Sequence, residues 1–185
     1  MSAKNNVKAT SVSLAEMRTL VRLVIWTSLI SLGGWLSIPI PGVPLSLQTF
    51  FVILAGLVEG PKVGALASGL YLLAGILGLP VFTGGLAGPA IFLKPSAGFA
   101  LAFPLGAALA GVASRRLRKS FSFLRAFLMC SVGSMTILLL GFVGILINTG
   151  MDMAAAAALT ATFIPGDLAK SAAAASIVSS KFFGR

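Results

Sequence analysis

Between Leu23 and Val58 the chain carries no charged side chain over 36 residues, yet Pro39, Pro41 and Pro44 interrupt the run. A helix crosses the hydrocarbon of a bilayer with roughly 20 apolar residues. A proline inside a helix removes a backbone hydrogen bond and clashes with the preceding turn. The stretch is therefore too long for one span and divides where the prolines sit. It predicts a helix near 20–37, a rigid PIPGVP turn and a shorter helix near 47–58. Composition agrees: 57% of the 185 residues are apolar, 10% are charged and the mean hydropathy is +1.03. Soluble domains carry about 25% charged residues. The chain reads as an all-α integral membrane protein of one domain.

Glu59, Gly60, Pro61 and Lys62 make a tight polar turn, and a third helix is expected near 63–77. The next 21 residues, 78–98, are rich in glycine and proline. Such a backbone cannot lie bare in lipid, where its polar groups would lack partners. It is expected outside the bilayer or packed into protein, as a lid or pocket wall. Helices follow near 97–113 and 126–147, separated by the basic run Arg115, Arg116, Arg118 and Lys119. A last apolar region runs from beyond Asp152 to Phe183.

Six helices place both termini on one side. Putting 115–119 in the cytoplasm also puts Lys62, Lys181, Arg185 and the N-terminal tail there, and leaves only Lys94 and Asp152 outside. That distribution follows the positive-inside rule at every loop. Residues 1–18 are then a cytoplasmic tail and 19–185 a single six-helix transmembrane domain in the lipid bilayer. The first apolar segment exceeds the roughly 7–15 residues of a signal-peptide core and lacks an A-x-A-like site, so it is expected to stay as the first helix. No internal repeat or interdomain linker is visible. The alanine runs at 154–158 and 172–175 suit close helix packing.

The inventory excludes several chemistries. There is no histidine and one cysteine, Cys130, so an intrachain disulfide, a zinc, haem or iron–sulfur cluster, and histidine acid–base catalysis are all ruled out. The net charge of +10 lies beside membrane spans, with no stacking aromatics, which argues against nucleic acid.

One short stretch is out of character. IPGDLAKS, 164–171, puts Asp167 and Lys170 in a region that otherwise suits lipid. Neither 153–166, at 14 residues, nor 171–180, at 10, can cross alone. A sixth helix must therefore carry the pair inside it, away from both ends. At i and i+3 the side chains share a helix face. A charge near the bilayer centre costs at least ~2.5–3.5 kcal/mol and usually marks function. Two readings stand: a self-neutralising structural ion pair, or a polar anchor for a small ligand in an apolar cavity. A carboxylate beside an ammonium suits a neutral group such as a cyclic urea or amide. Pro165 frees a helical carbonyl, which is tolerated where backbone lines a cavity.

Taken together, VPLSLQTFFVILAGLVEGPKVGALASGLYLLAGILGLPVFTGG (43–85), KPSAGFALAFPLGAALAG (94–111) and FIPGDLAKS (163–171) resemble the BioY family over roughly residues 20–180. These are the biotin-binding S components of energy-coupling factor (ECF) transporters. The resemblance implies a six-helix S-component-like bundle that captures biotin from outside a bacterial cytoplasmic membrane. A transmembrane coupling protein and two ATPases would drive release inside, although some members are thought to work alone. The chain has no G-x-x-x-x-G-K-[ST] loop, so any ATP hydrolysis belongs to partners. No cofactor is implied; biotin is the ligand, and the chain itself is not expected to be an enzyme.

The family's polar contacts carry over to Asp167 and Lys170, within P-G-D-x-x-K. By physical fit Asp167 would accept the ureido N–H groups and Lys170 would approach the ureido oxygen. Phe82, Tyr71 and Phe99 are candidate apolar walls, or ordinary helix packing. Gln48 either reaches the pocket or makes a helix-end hydrogen bond. The resemblance leads one to expect a polar residue in some members at the loop position of Gly84, and Gly85 beside it is a further candidate binding position. The small-xxx-small steps Thr27–Ser31 and Gly33–Ser37 are candidate packing sites for the coupling protein. Two rivals stay open: an autonomous proton-coupled or homodimeric carrier using Asp167, and an intramembrane enzyme with a Ser–Lys dyad of Lys170 with Ser171 or Ser134.

Overall fold

The computed structural model describes residues 13–39, 42–116 and 122–180. Lys4, Lys8, Arg118, Lys119, Lys181 and Arg185 lie outside the described residues. Helix α1 spans Leu14–Trp35, beginning earlier than hydropathy alone suggests because Ser13 and Glu16 form a capping box. The first turn therefore belongs to the helix rather than to a tail ending at residue 18. The proline segment does not form a bare turn. Ser37–Ile38 (β1) pairs antiparallel with Leu45–Ser46 (β2), a small hairpin in an otherwise helical molecule.

Helix α2, Gln48–Glu59, ends at Gly60, whose φ of +88° only glycine adopts cheaply, and Pro61 opens α3, Pro61–Ile76. The segment 77–96 is folded into two short 3-10 turns, Thr83–Gly85 and Pro89–Leu93. Helix α4 is Ala97–Arg116, with Pro104 inside it, and α5 is Phe123–Thr149, capped by the Ser122 hydroxyl.

The sixth helix is broken. Asp152 caps α6, Met153–Ala161, through Ala155 N–H, and α7 runs Ile164–Ser179. Between them Thr162 N–H and Phe163 N–H reach back only three residues, to Leu159 O and Thr160 O. Pro165 has no N–H to continue the ladder. Asp167 therefore lies in the first turn of α7, not deep inside one continuous helix. The broken helix counts as the sixth of a six-helix bundle.

Two of the described helices, Ala97–Arg115 and Phe123–Thr149, are long and apolar enough by themselves to cross a membrane; α2 and α3 are apolar but shorter. The core lies where α2, α3, α4 and α5 meet, around Val52, Ile53, Tyr71, Phe103, Met129 and Ile137. Glycines let α4 and α5 touch backbone to backbone: a Cβ on Gly144 would lie 2.6 Å from Gly98 Cα. At the end holding the α2–α3 turn, Glu59 accepts from Trp26 Nε1 at 3.2 Å and pairs with Arg22 at 3.4 Å. The guanidinium of Arg115 covers Gly60. The hairpin, the 3-10 turns and the break in the sixth helix gather at the other end, around a cavity.

Candidate functional site

The cavity spans about 540 Å³ of non-atom space, its open mouth included. Its walls come from the hairpin, α2, α3, the segment 77–96, α4, Phe163 at the helix break and α7. Asp167 and Lys170 are the only charged residues among its lining. The helix break gives α7 a fresh start, and the first turn aims Asp167 inward, where it is 6% exposed.

Lys170 Nζ donates to Asp167 Oδ1 at 3.1 Å, and the Ser134 hydroxyl on α5 donates to Asp167 Oδ2 at 3.1 Å. Each carboxylate oxygen accepts about two hydrogen bonds and an ammonium donates three. The pair thus keeps one acceptor position on each oxygen and two donors on Lys170. Charge is balanced while hydrogen-bonding capacity is left over. Ser134 faces the carboxylate rather than the lysine, so the Ser–Lys dyad read from the sequence is not assembled through Ser134. Ser171 is buried and absent from the cavity lining.

Aromatic rings supply the apolar walls. Tyr71 packs edge-on to Phe82 with centroids 5.5 Å apart and lies against Phe103 at 5.9 Å; Phe99 packs on Phe163 at 5.5 Å. Phe82, Tyr71 and Phe99 all line the cavity. Gln48 does so too: its Nε2 donates to Tyr71 Oη at 2.6 Å and its Oε1 accepts from Thr83 Oγ1 at 2.8 Å.

Gly84 and Gly85 do not line the cavity. They hold φ of +72° and +75°, so their role is to turn the chain, and Thr83 beside them supplies the polar group. Thr27 and Ser31 on α1, and Ser37 just beyond it, are half-buried. Thr27 Oγ1 donates to Ala67 O on α3 at 3.0 Å and Ser31 back-bonds to Thr27 O. Gly33 is buried, its carbonyl accepting from Leu47 N–H, and Ser37 pairs with Ser46 in the hairpin. The α1 face left exposed is instead Val21, Val24, Ile25 and Leu32.

Sequence reasoning missed Ser46, Thr49, Thr83, Phe103 and Phe163 in the lining, and the contact that Ser134 makes with Asp167 behind it. Ser46 and Thr49 flank Gln48 in the S-L-Q-T motif and Thr83 follows Phe82, so position beside a recognised residue was the available signal. Ser134 was read only as a partner for Lys170 in a Ser–Lys dyad, and in the structure it meets Asp167 instead.

Residues 4–182 match the BioY family. The chain is 36% identical to the probable biotin transporter BioY of Pyrococcus horikoshii, over 82% of this chain and 88% of that one. It is also 36% identical to the probable biotin transporter BioY of Bacillus subtilis, over 84% and 86% of the two chains. The fold superposes with a TM-score of 0.81 and 30% identity on the crystal structure of an S component for biotin from an ECF-type ABC transporter, covering 89% of this chain and 90% of that one. With the match spanning nearly its whole length and its fold shared with an S component, this chain belongs to the BioY family.

Proposed function

We propose that this chain captures biotin from outside the cytoplasmic membrane as the substrate-binding subunit of an ECF-type transporter. The observation that carries the reading is the buried Asp167–Lys170 pair, neutral as a unit, set in an aromatic-walled cavity. Its two free carboxylate positions match the paired N–H groups of a ureido ring, which a carboxylate accepts in bidentate fashion. Lys170 donates to the ureido oxygen alongside. Tyr71, Phe82, Phe99 and Phe103 receive the sulfur-containing ring and the aliphatic chain.

The partners are a transmembrane coupling protein and two ATPase subunits, which supply the energy for release. Both termini lie in the cytoplasm, and the cavity opens to the outside. Arg22, Arg115 and Lys62 support that orientation, because they cluster at the end opposite the cavity, as the positive-inside rule requires.

The test is titration calorimetry of biotin into the purified chain in detergent, beside Asp167→Asn and Lys170→Met. Binding by the parent, weakened about thirtyfold or more in folded variants, is the expected result, since groups left unpaired in a buried polar site cost about 2–5 kcal/mol. Binding that survives both changes reduces the pair to a structural role. A folded parent that does not bind biotin ends the proposal.

A further inference from the structure

Leu45, Ser46 and Lys170 line the cavity on one side and a second hollow on the other. The second hollow is a groove at the end of α1 nearest the cavity, walled further by Trp35, Leu36, Ile38 and Leu47. All four of these side chains are exposed. The groove spans about 790 Å³ of non-atom space, its open side included, against about 540 Å³ for the cavity. That is room for a hydrocarbon chain rather than for a single ion. Trp35 ends α1. Tryptophan at the end of a membrane helix marks the membrane–water interface, so the groove lies at the depth of lipid headgroups and their ester groups. Lys170 is the only charged residue in its lining.

Lys170 therefore stands between two environments. Its side chain is 10% exposed, and among the described residues its ammonium donates only to Asp167 Oδ1, at 3.1 Å. An ammonium has three N–H donors. In the biotin reading a second one meets the ureido oxygen. The third cannot share that oxygen, because tetrahedral N–H bonds diverge and a hydrogen bond needs near-linear alignment. While the cavity is open to solvent, water can accept it. Once biotin fills the cavity, the groove is the side from which an acceptor can come, and a buried donor left without one is costly. That acceptor has to be neutral. Asp167 already balances the ammonium, so an anion would leave a net charge among apolar walls.

We propose that the groove seats one acyl chain of a membrane phospholipid, whose ester carbonyl accepts the third N–H of Lys170. The inference rests on the biotin reading and extends it beyond the cavity. A lipid ester is a neutral acceptor, and the chain attached to it covers Leu36, Ile38 and Leu47. A helix of another protein would cover the same side chains, but its backbone carbonyls are already bonded within the helix. Lipid and biotin then meet opposite sides of one ammonium, and each raises the affinity for the other.

The experiment titrates biotin into the full chain in nanodiscs of diphytanoylphosphatidylcholine and of its diether counterpart, which has the same headgroup and chains but no ester carbonyl. Biotin is expected to bind about tenfold more tightly in the diester, the effect of one buried donor gaining its acceptor. Ile38→Trp and Leu36→Trp fill the groove from two positions. Neither residue lines the cavity, and at 63% and 59% exposure each leaves room for the larger ring, so the fold is retained. Each variant is expected to bind biotin in the diester as weakly as the parent does in the diether, with no difference between the lipids. Equal affinity of the parent in both lipids overturns the ester as acceptor, a contact through the shared phosphate included. A tenfold difference that persists in both filled variants belongs to the bilayer as a whole and overturns the groove. A parent that binds biotin in neither lipid overturns the biotin reading and this inference with it, a failure distinct from equal binding.

Discussion

Helix α5 and the broken sixth helix lie side by side and follow the same inward period. In α5 the buried stripe is Ala126, Met129/Cys130, Gly133/Ser134, Ile137/Leu138, Gly141 and Ile145. In α7 it is Asp167, Ser171, Ala174/Ala175 and Val178, while α6 buries Ala156 alone. Steps of three and four residues keep both stripes on one face. Where α5 places small and apolar residues for packing, α7 begins its stripe with a carboxylate. The charge thus occupies a core position, and only the break above it keeps that position beside a cavity instead of against a neighbouring helix. Scaffold and site are made by one packing pattern with one substitution of chemistry.

The scaffold side of this contrast breaks hardest. At Gly144 a Cβ would lie 2.6 Å from Gly98 Cα, backbone against backbone, with no flexible side chain to yield. Gly144→Val forces α4 and α5 apart, and with backbone on both sides of the contact the cost lies well above the about 1–3 kcal/mol typical of side-chain overpacking, enough to undo the packing of the two helices. A large fall in thermal midpoint in detergent, with biotin binding lost alongside, is expected. Parental stability would show that the two helices can separate freely.

On the site side, removing one partner of the ion pair is the next largest effect. Asp167 and Lys170 side chains are 7% and 10% exposed. Breaking a buried pair costs about 3–5 kcal/mol because it strands a charge, whereas replacing both partners is often neutral. Asp167→Ala should therefore be markedly less stable than Asp167→Ala combined with Lys170→Met. A double variant as unstable as the single one would mean that the cost lies in lost packing. Neither variant should bind biotin.

A smaller difference separates two serines one turn apart on α5. Ser134 donates to Asp167 Oδ2 in the stripe, while Ser131 back-bonds to Phe127 O in its own helix at 2.9 Å. Ser134→Ala should weaken biotin by about five- to tenfold, the value of one buried hydrogen bond of about 1–1.5 kcal/mol. Ser131→Ala should leave affinity unchanged. Matching losses would place the effect in helix packing rather than in the orientation of Asp167.

These contrasts also mark what could be read in advance. Spans α2 to α5 were legible because proline, glycine and charge punctuate them: Gly60–Pro61 and Gly150 are chain-reversal signals with a fixed physical meaning. Asp167 and Lys170 were legible because a charge in an apolar run costs energy unless something uses it. The Ser134–Asp167 contact spans 33 residues and the Gln48–Thr83 contact 35. No local pattern encodes which serine or threonine of a helical bundle meets a partner across such a gap. The small residues of α1 are a related case, since periodicity says that a face is small but not which neighbour lies against it. Here α3 and α2 fill it, through Ala67 O and Leu47 N–H.

The smallest expected effect concerns the break itself. Proline in a helix interior costs about 3 kcal/mol, but at the first turn its missing N–H has no helical partner to lose. Pro165 is in that position, and Thr162 and Phe163 before it already hold helical dihedrals, φ −62°, ψ −21° and φ −83°, ψ −20°. What keeps the break open is the burial of Phe163, 5% exposed and packed on Phe99. Restoring the N–H by Pro165→Ala would let the ladder close toward Ala161 O only if Phe163 gave up that packing, and burying a phenylalanine contributes about 1.5–3 kcal/mol. One hydrogen bond contributes about 1 kcal/mol, so the packing should win. Pro165→Ala is therefore expected to change biotin affinity less than about threefold and stability by under about 1 kcal/mol. A tenfold loss of affinity would mean that proline, not the aromatic pair, positions Asp167 at the cavity.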